Sequence, residues 1–382
     1  MIHIANIVLD EKFVDDIITL HSLTNDVCVH HYFLMEENFS GKFKYIDKNR
    51  DEIIVLDSFQ FIKRMSGAEY SAVFLHSLYA LPLLKILQIP SNIKVFWFAW
   101  GYDIYGENKL IPINLYGHKT NAFLYSTYKL NRFKKVREYL HQFLFFCRHG
   151  FLLEKLYMRA VQRIDYFSGV LPVEFQMAKR NPYFRAEEIM YSYGNSASFN
   201  CKISNGGTNW LIGNSADPSN NHLDLFDFLK LLDIKGRKIY VPLSYGGNQK
   251  YIEEVIRVGE SLWGEDFVPL TQFVPKEEYL KIVDSCGFAC FFHERQQAIG
   301  NIEMALRNGC KVFLSNTSVA YKHYKQIGVG IYTVQEDLKE NNIQPLSYDL
   351  RTNNIDKINS FYSDLECKNR LISCYRKMNL IE

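Results

Sequence analysis

Short, largely apolar runs alternate along the chain with longer stretches of helical spacing, the alternation that builds parallel sheets. In the first half, the runs at 2–9, 27–34, 53–56, 72–75 and 94–99 predict strands. Helical spacing follows the first of them at about 11–23. A second helical stretch, 78–88, carries Leu78, Leu81, Leu84, Ile86 and Leu87 and stops before Pro90. Around 195–208 the texture turns to Gly, Asn and Ser without period, which predicts a linker. The pattern then restarts with strands at 210–212, 238–243, 267–270, 287–292 and 311–314. Helices are expected between them at about 220–232, 249–262, 275–285 and 301–308, the last closed by Gly309, and a final amphipathic helix at 356–378. These elements predict an α/β chain of two doubly wound, Rossmann-like domains. The expected boundaries are 1–200 and 201–350, with 351–382 packing back toward the N-terminal domain.

Composition narrows the function classes. Apolar residues are 47% and charged residues 23%, which excludes a largely disordered chain. The net charge of +2 supplies no global field for nucleic acid. Aromatic residues reach 15%, which points to thick cores or to surfaces that meet sugar-like ligands. The eight Cys are scattered without CxxC or Cys/His ligand spacing, so neither a zinc site nor a disulfide framework is expected, in keeping with a reducing compartment. Asp10, Glu11 and Lys12 end the first apolar run too early for a signal peptide, and no run is long enough to span a bilayer. One segment departs from neutrality: 129–163 holds nine basic residues against two acids, interleaved with Phe, Tyr and Leu. An apolar face with a cationic flank suits an anionic membrane surface, and a helical hairpin covering the first sheet would carry the same pattern. RNA binding is the weaker reading, because no RNP or KH pattern accompanies the charge.

Three loops at expected strand ends of the second half could hold a diphosphate. The first contains Gly213, Asn214, Ser215, Asn220 and His222, and the second Tyr245 and Gly246. Glycine permits close approach to the backbone, and Asn and Ser offer neutral donors. The same residues also suit an ordinary helix start or a plain turn. The third loop follows a wholly apolar strand and opens a helix with Arg295, Gln296, Gln297, Gly300 and Asn301. A helix N-terminus is a ready anion site, and Arg295 adds a bidentate cation. Glu303 in the first turn is a candidate acceptor for ribose hydroxyls, or a carboxylate that satisfies the helix dipole. No GxGxxG or Walker loop occurs, and no paired-Asp metal site is present.

In the first half, Trp97, Trp100, Gly101, Asp103 and Tyr105 close an apolar strand. Aromatic faces beside a carboxylate suit sugar recognition, and equally a core strand whose Asp caps the next segment. His76 ends the preceding strand and is a candidate for proton exchange near neutral pH, or a structural histidine.

On these residues the chain resembles the TDP-N-acetylfucosamine:lipid II N-acetylfucosaminyltransferase family. The shared pieces are Phe-Trp-x-x-Trp-Gly-x-Asp-x-Tyr at 96–105, Gly-Asn-Ser with Ser-Asn-x-His at 213–222, Val-Pro-x-x-Tyr at 241–245, Tyr-Ile-Glu-Glu-Val at 251–255 and Arg-Gln-Gln-x-Ile-Gly at 295–300. The resemblance implies a GT-B glycosyltransferase, with two Rossmann-like domains facing a cleft and no cofactor or metal. The donor would be a TDP- or UDP-linked sugar, plausibly an amino-deoxy hexose, held by the second domain through the three loops just described. The acceptor would be a polyprenyl-diphosphate-linked saccharide at the cytoplasmic membrane face, met by Trp97, Trp100, Gly101 and Tyr105. Arg295 would stabilise the leaving diphosphate, and Asp103 or His76 would orient or deprotonate the acceptor hydroxyl. The α-linked product of the family suggests retention of configuration. Glu294 and Glu303 stand nine apart, unlike the eight-residue Glu pair of many retaining GT-B enzymes, and the basic segment exceeds the family's usual connection. A sugar-nucleotide epimerase of the same architecture, or a non-catalytic nucleotide- or RNA-binding module, remain alternatives.

Overall fold

The computed structural model describes residues 2–11, 13–37, 39–67, 70–128, 153–192 and 207–382. The described residues divide into two compact units, one drawn from Met1–Ile113, Phe133–Ser196 and Tyr362–Glu382, the other from Asn114–Arg132 and Ala197–Phe361. The expected linker falls almost wholly outside the described residues.

The first unit is built on a seven-stranded parallel sheet. Its strands are β1 (Ile2–Val8), β2 (Cys28–Met35), β3 (Ile53–Leu56), β4 (Ala72–His76), β5 (Lys94–Phe98), β6 (Tyr166–Ser168) and β7 (Glu187–Glu188), in the order β3-β2-β1-β4-β5-β6-β7. The second unit repeats the scheme with β8 (Asn209–Ile212), β9 (Ile239–Pro242), β10 (Phe267–Leu270), β11 (Cys286–Phe291), β12 (Lys311–Leu314) and β13 (Tyr332–Thr333), in the order β10-β9-β8-β11-β12-β13. Every residue of β4, β11 and β12 is buried, as expected where helices cover both faces of a parallel sheet. In each sheet the order reverses beside the first strand, between β1 and β4 and between β8 and β11. Ligands of open α/β sheets bind outside the carboxyl ends of the strands at such points. His76 ends β4, and the Gly213 and His293 loops leave β8 and β11.

Several expected elements are corrected. The stretch 78–88 is no single helix: a 3-10 turn at Leu78–Ala80 is followed by a short helix at Leu83–Ile86, because Pro82 supplies no N–H to continue the first turn. The expected last helix at 356–378 is two helices, Tyr348–Phe361 and Asp364–Lys377, divided at Ser363, whose hydroxyl caps the second by accepting from Glu366 N–H. The second of these packs in the first unit, where Cys367, Leu371, Cys374, Tyr375 and Met378 join the core around β1 and β2. The described part of 114–132 lies in the second unit instead of with 1–113, for a definite reason. The Asp224 carboxylate accepts from Lys119 N–H at 2.7 Å and Thr120 N–H at 2.9 Å, and so caps the helix His118–Tyr128. Of the basic segment, 129–152 lies outside the described residues. The remainder is the helix Leu153–Arg163, which buries Leu156, Tyr157, Ala160 and Val161 and leaves Lys155 and Arg159 exposed.

The first core encloses a polar cluster. His21 stacks on His30 at 4.0 Å between ring centres. Asn6 bridges His30 and His76, and the hydroxyls of Tyr32, Tyr191 and Tyr375 close the outer bonds. Burial, and then the neighbouring imidazoles, push His30 and His76 down to about 3 and His21 well below its ordinary value. His222 in the second unit is likewise held at about 3, and His293 is lowered. These imidazoles are neutral when folded, whereas in the unfolded chain they bind protons near pH 6.5. Their contribution is therefore complete above that pH and is lost as the pH falls toward 3. Together they should make stability decline as the pH falls below about 6.5. Denaturant midpoints measured from pH 7.5 to 5 should fall steeply; a flat profile would show that these histidines are solvated.

Candidate active site

In the second unit the three loops meet at the carboxyl ends of β8, β9 and β11. Gly213, at φ +66°, turns the first loop under two side chains: a Cβ there would stand 2.7 Å from Asn220 Oδ1 and 2.8 Å from His222 Nε2, so only glycine fits. Asn220 fastens the turn. Its Oδ1 accepts from Asn214 N–H at 3.0 Å and pairs with His293 Nε2 at 2.8 Å, and its amide donates to Ser215 Oγ and the Asp217 carbonyl. Gln297 then ties the third loop to the first, accepting from Ser219 Oγ at 2.6 Å and donating to Asn214 Oδ1 at 3.4 Å. Asn214 Nδ2 donates to Tyr245 Oη at 2.9 Å, which brings in the second loop.

The third loop ends at Ala298, which holds the left-handed conformation at φ +60° and carries no group to cap the helix Ile299–Arg307. Gly300 in its first turn is exposed, with open space where a Cβ would stand. Arg295 and Gln296, in the loop that leads into this helix, are half-buried, the Arg295 guanidinium donating to the Gln296 carbonyl at 3.3 Å. Tyr245 is 51% exposed. Arg295 acts electrostatically on Tyr245, and the helix that opens four residues after Arg295 has no side-chain cap, so a cation, an aromatic ring and backbone donors belong to this one group of loops.

The first unit offers a different edge. Asp103 is wholly buried. Its Oδ2 accepts from Leu78 N–H at 2.7 Å and Trp97 Nε1–H at 2.9 Å, and its Oδ1 accepts from Trp100 N–H at 2.8 Å. Burial pushes its pKa up, and these donors partly oppose that. Nearby, Tyr105 Oη donates at 2.6 Å to Glu174, a buried carboxyl raised to about 7 by desolvation.

A family model described as 4-alpha-L-fucosyltransferase, glycosyl transferase group 56, matches residues 155–372. The chain belongs to this family. Solved structures place the group 56 chain in the GT-B fold. Sucrose-phosphate synthase from Thermosynechococcus elongatus matches at 11% identity and TM-score 0.64, with 100% of both chains covered. The Anabaena protein HepE, solved with UDP and glucose, matches at 9% identity and TM-score 0.63, covering 99% of this chain and 100% of its own. The lipopolysaccharide outer core galactosyltransferase WaaB, in its apo form, matches at 10% and 0.63, with 98% and 99% covered. The protein is a nucleotide-sugar glycosyltransferase, a hexosyltransferase. Membership favours neither the epimerase nor the non-catalytic alternative.

Within this group 56 enzyme the structure redistributes the expected residues. Arg295, Gln296, Tyr245, Gly246 and Gly300 reach solvent, whereas Asn214, Ser215 and Gln297 sit just behind them. Asn301 is half-buried and its Oδ1 accepts from Tyr279. His222 is corrected from ligand contact to loop support: it is buried, pairs with Tyr251 Oη at 3.3 Å, and presses on Gly213. Glu303 is corrected likewise. At 4% exposure it lies in the helix body near Arg307 and Tyr324, turned away from solvent. Glu294, its partner in the sequence pair, is held by Ser315 Oγ at 2.8 Å and Thr317 Oγ1 at 2.6 Å. Trp97, Trp100 and Tyr105 are buried, so their faces are not available to a sugar, and Gly101 serves the turn at φ +78°. His76 is buried and bonded to Asn6, and Asp103 is consumed by three N–H groups. In this arrangement both side chains hold the ends of neighbouring strands and do not reach solvent. Sequence pattern assigns no role to His293, which anchors Asn220, or to the exposed Tyr79, and it offers Tyr102 only as a flank of Asp103. Lone residues just past strand ends carry no periodic signal. Among the described residues no group of three His, Cys, Asp or Glu could hold a metal ion.

Asp103→Asn replaces one acceptor oxygen by an amide that opposes backbone N–H groups. It should cost about 2–4 kcal/mol of stability, read as a lowered urea midpoint. Full stability with loss of transfer would restore Asp103 to the chemistry.

Proposed function

We propose that this group 56 glycosyltransferase moves an amino-deoxy hexosyl group from a TDP- or UDP-linked donor to a polyprenyl-diphosphate-linked saccharide, in surface polysaccharide synthesis. The donor binds the second unit and the acceptor the first. The observation that carries the reading is the uncapped N-terminus of the helix Ile299–Arg307, with Gly300 open to solvent and the half-buried Arg295 in the loop that leads into it. In transfer, the bond between the anomeric carbon and the diphosphate oxygen breaks, the acceptor hydroxyl oxygen takes its place, and the hydroxyl proton passes to the departing diphosphate. Negative charge then grows on the departing nucleoside diphosphate, and donors already aimed at that position lower the barrier without reorganising. Arg295 and the N–H groups at Gly300 and Asn301 fill this role. Tyr245 covers one face of the donor, and Asn214 and Gln297 hold the loops in register. The inner cytoplasmic membrane face is the proposed location, with the basic segment as its contact. Among the described residues, no helix is long and apolar enough to cross a membrane.

Arg295→Ala should lower transfer about a hundredfold, about 3 kcal/mol of transition-state stabilisation, and should weaken TDP or UDP in a calorimetric screen that includes GDP. Turnover within a few-fold of the parent would remove the diphosphate role. Neutralising Arg132, Lys134, Lys135 and Arg137 together should release the protein from anionic vesicles in sedimentation. Unchanged pelleting would leave the segment as a cover for the first sheet.

A further inference from the structure

The buried Asp103 carboxylate ties together two loops, each carrying one exposed tyrosine. Through Leu78 N–H it holds the turn that bears Tyr79, and through Trp97 and Trp100 the turn that bears Tyr102. The two rings, 38% and 43% exposed, lie 6.1 Å apart at 19°, nearly parallel. Ser77 locks them, accepting from Tyr102 Oη at 2.8 Å and Tyr79 N–H at 3.2 Å. It does so at φ +82°, a conformation that a residue with a Cβ adopts at a cost. Lys109 Nζ donates to the Tyr79 hydroxyl and lies 5.2 Å from the ring centre of buried Tyr157. No described carboxylate lies within ion-pair distance of it. Partial burial lowers Lys109 to about 8, so this cation is poorly solvated and would gain from an anion.

We infer that Tyr79, Tyr102 and Lys109 form a binding site for a phosphorylated sugar, the rings covering the C–H face of the pyranose and the ammonium meeting its phosphate. The inference rests on the proposed function, in which the acceptor is a glycosyl diphosphate and meets the first unit. It moves the recognition surface from the buried Trp97, Trp100 and Tyr105 to residues that solvent reaches. Asp103 and Ser77 become positioning residues for it.

The test is calorimetric titration of the full chain with N-acetylglucosamine 1-phosphate, free N-acetylglucosamine and inorganic phosphate, with TDP and UDP titrated in parallel. The phosphorylated sugar should bind more tightly than either fragment. Lys109→Met should weaken it about tenfold, the worth of one charge-assisted contact. Tyr102→Ala should weaken both sugars, and neither substitution should alter nucleotide affinity, which also reports that the variants are folded. Absence of sugar-phosphate binding, or equal affinity in Lys109→Met, overturns the site while normal nucleotide binding leaves the transferase reading intact. Loss of nucleotide binding in the parent chain would overturn both.

Discussion

The structure of the first unit turns on a carboxylate that water never reaches. Asp103 accepts three N–H groups from residues on two successive strand-to-loop transitions, and by doing so fixes where β4 and β5 end and how their loops leave the sheet. A buried carboxylate is costly unless its lone pairs are filled, so the arrangement tolerates little displacement of any partner. Tyr157 adds a second fastening from the helix Leu153–Arg163, its hydroxyl donating to the Asp103 carbonyl and accepting from Leu110 N–H. The motif that looks like a sugar-binding constellation in the sequence is a buried frame, and the tyrosines exposed beside it are Tyr79 and Tyr102.

The second unit solves a similar problem with neutral groups. Asn220, His293, Gln297 and Asn214 form a chain of amide and imidazole bonds that joins loops far apart in sequence. Desolvation keeps His293 and His222 uncharged, so the only formal positive charge these loops present beside the helix N-terminus is Arg295. On the proposed reading, a bound diphosphate gains from this restraint. The framework contributes rigidity without a competing charge, and the electrostatic work falls to one guanidinium and a set of backbone donors whose positions the framework determines.

Much of the fold was legible because its strands are buried on both faces. Runs such as 286–291 and 312–314 are apolar throughout, and short runs of this kind between helical stretches are what a parallel sheet covered by helices requires. The short strands Tyr166–Ser168, Glu187–Glu188 and Tyr332–Thr333 were not legible, since two or three residues carry no period and exist only by pairing with a neighbour. The break at Ser363 was hidden by an apolar stripe that continues across it. The helix His118–Tyr128 gave no sign of its unit, because its cap, Asp224, lies over a hundred positions along the chain.

From the sequence alone came the alternating pattern, the three polar loops after apolar strands, and the motifs that resemble the glycosyltransferase family. All of these are local, set by composition and spacing within a few residues. Only the tertiary structure decided which loop residues support and which reach solvent. Asp103, His76, His222 and Glu303 have the chemistry of site residues, and burial among partners from distant segments takes it from them. Exposure is a property of what packs against a side chain, and the chain brings those neighbours together only on folding.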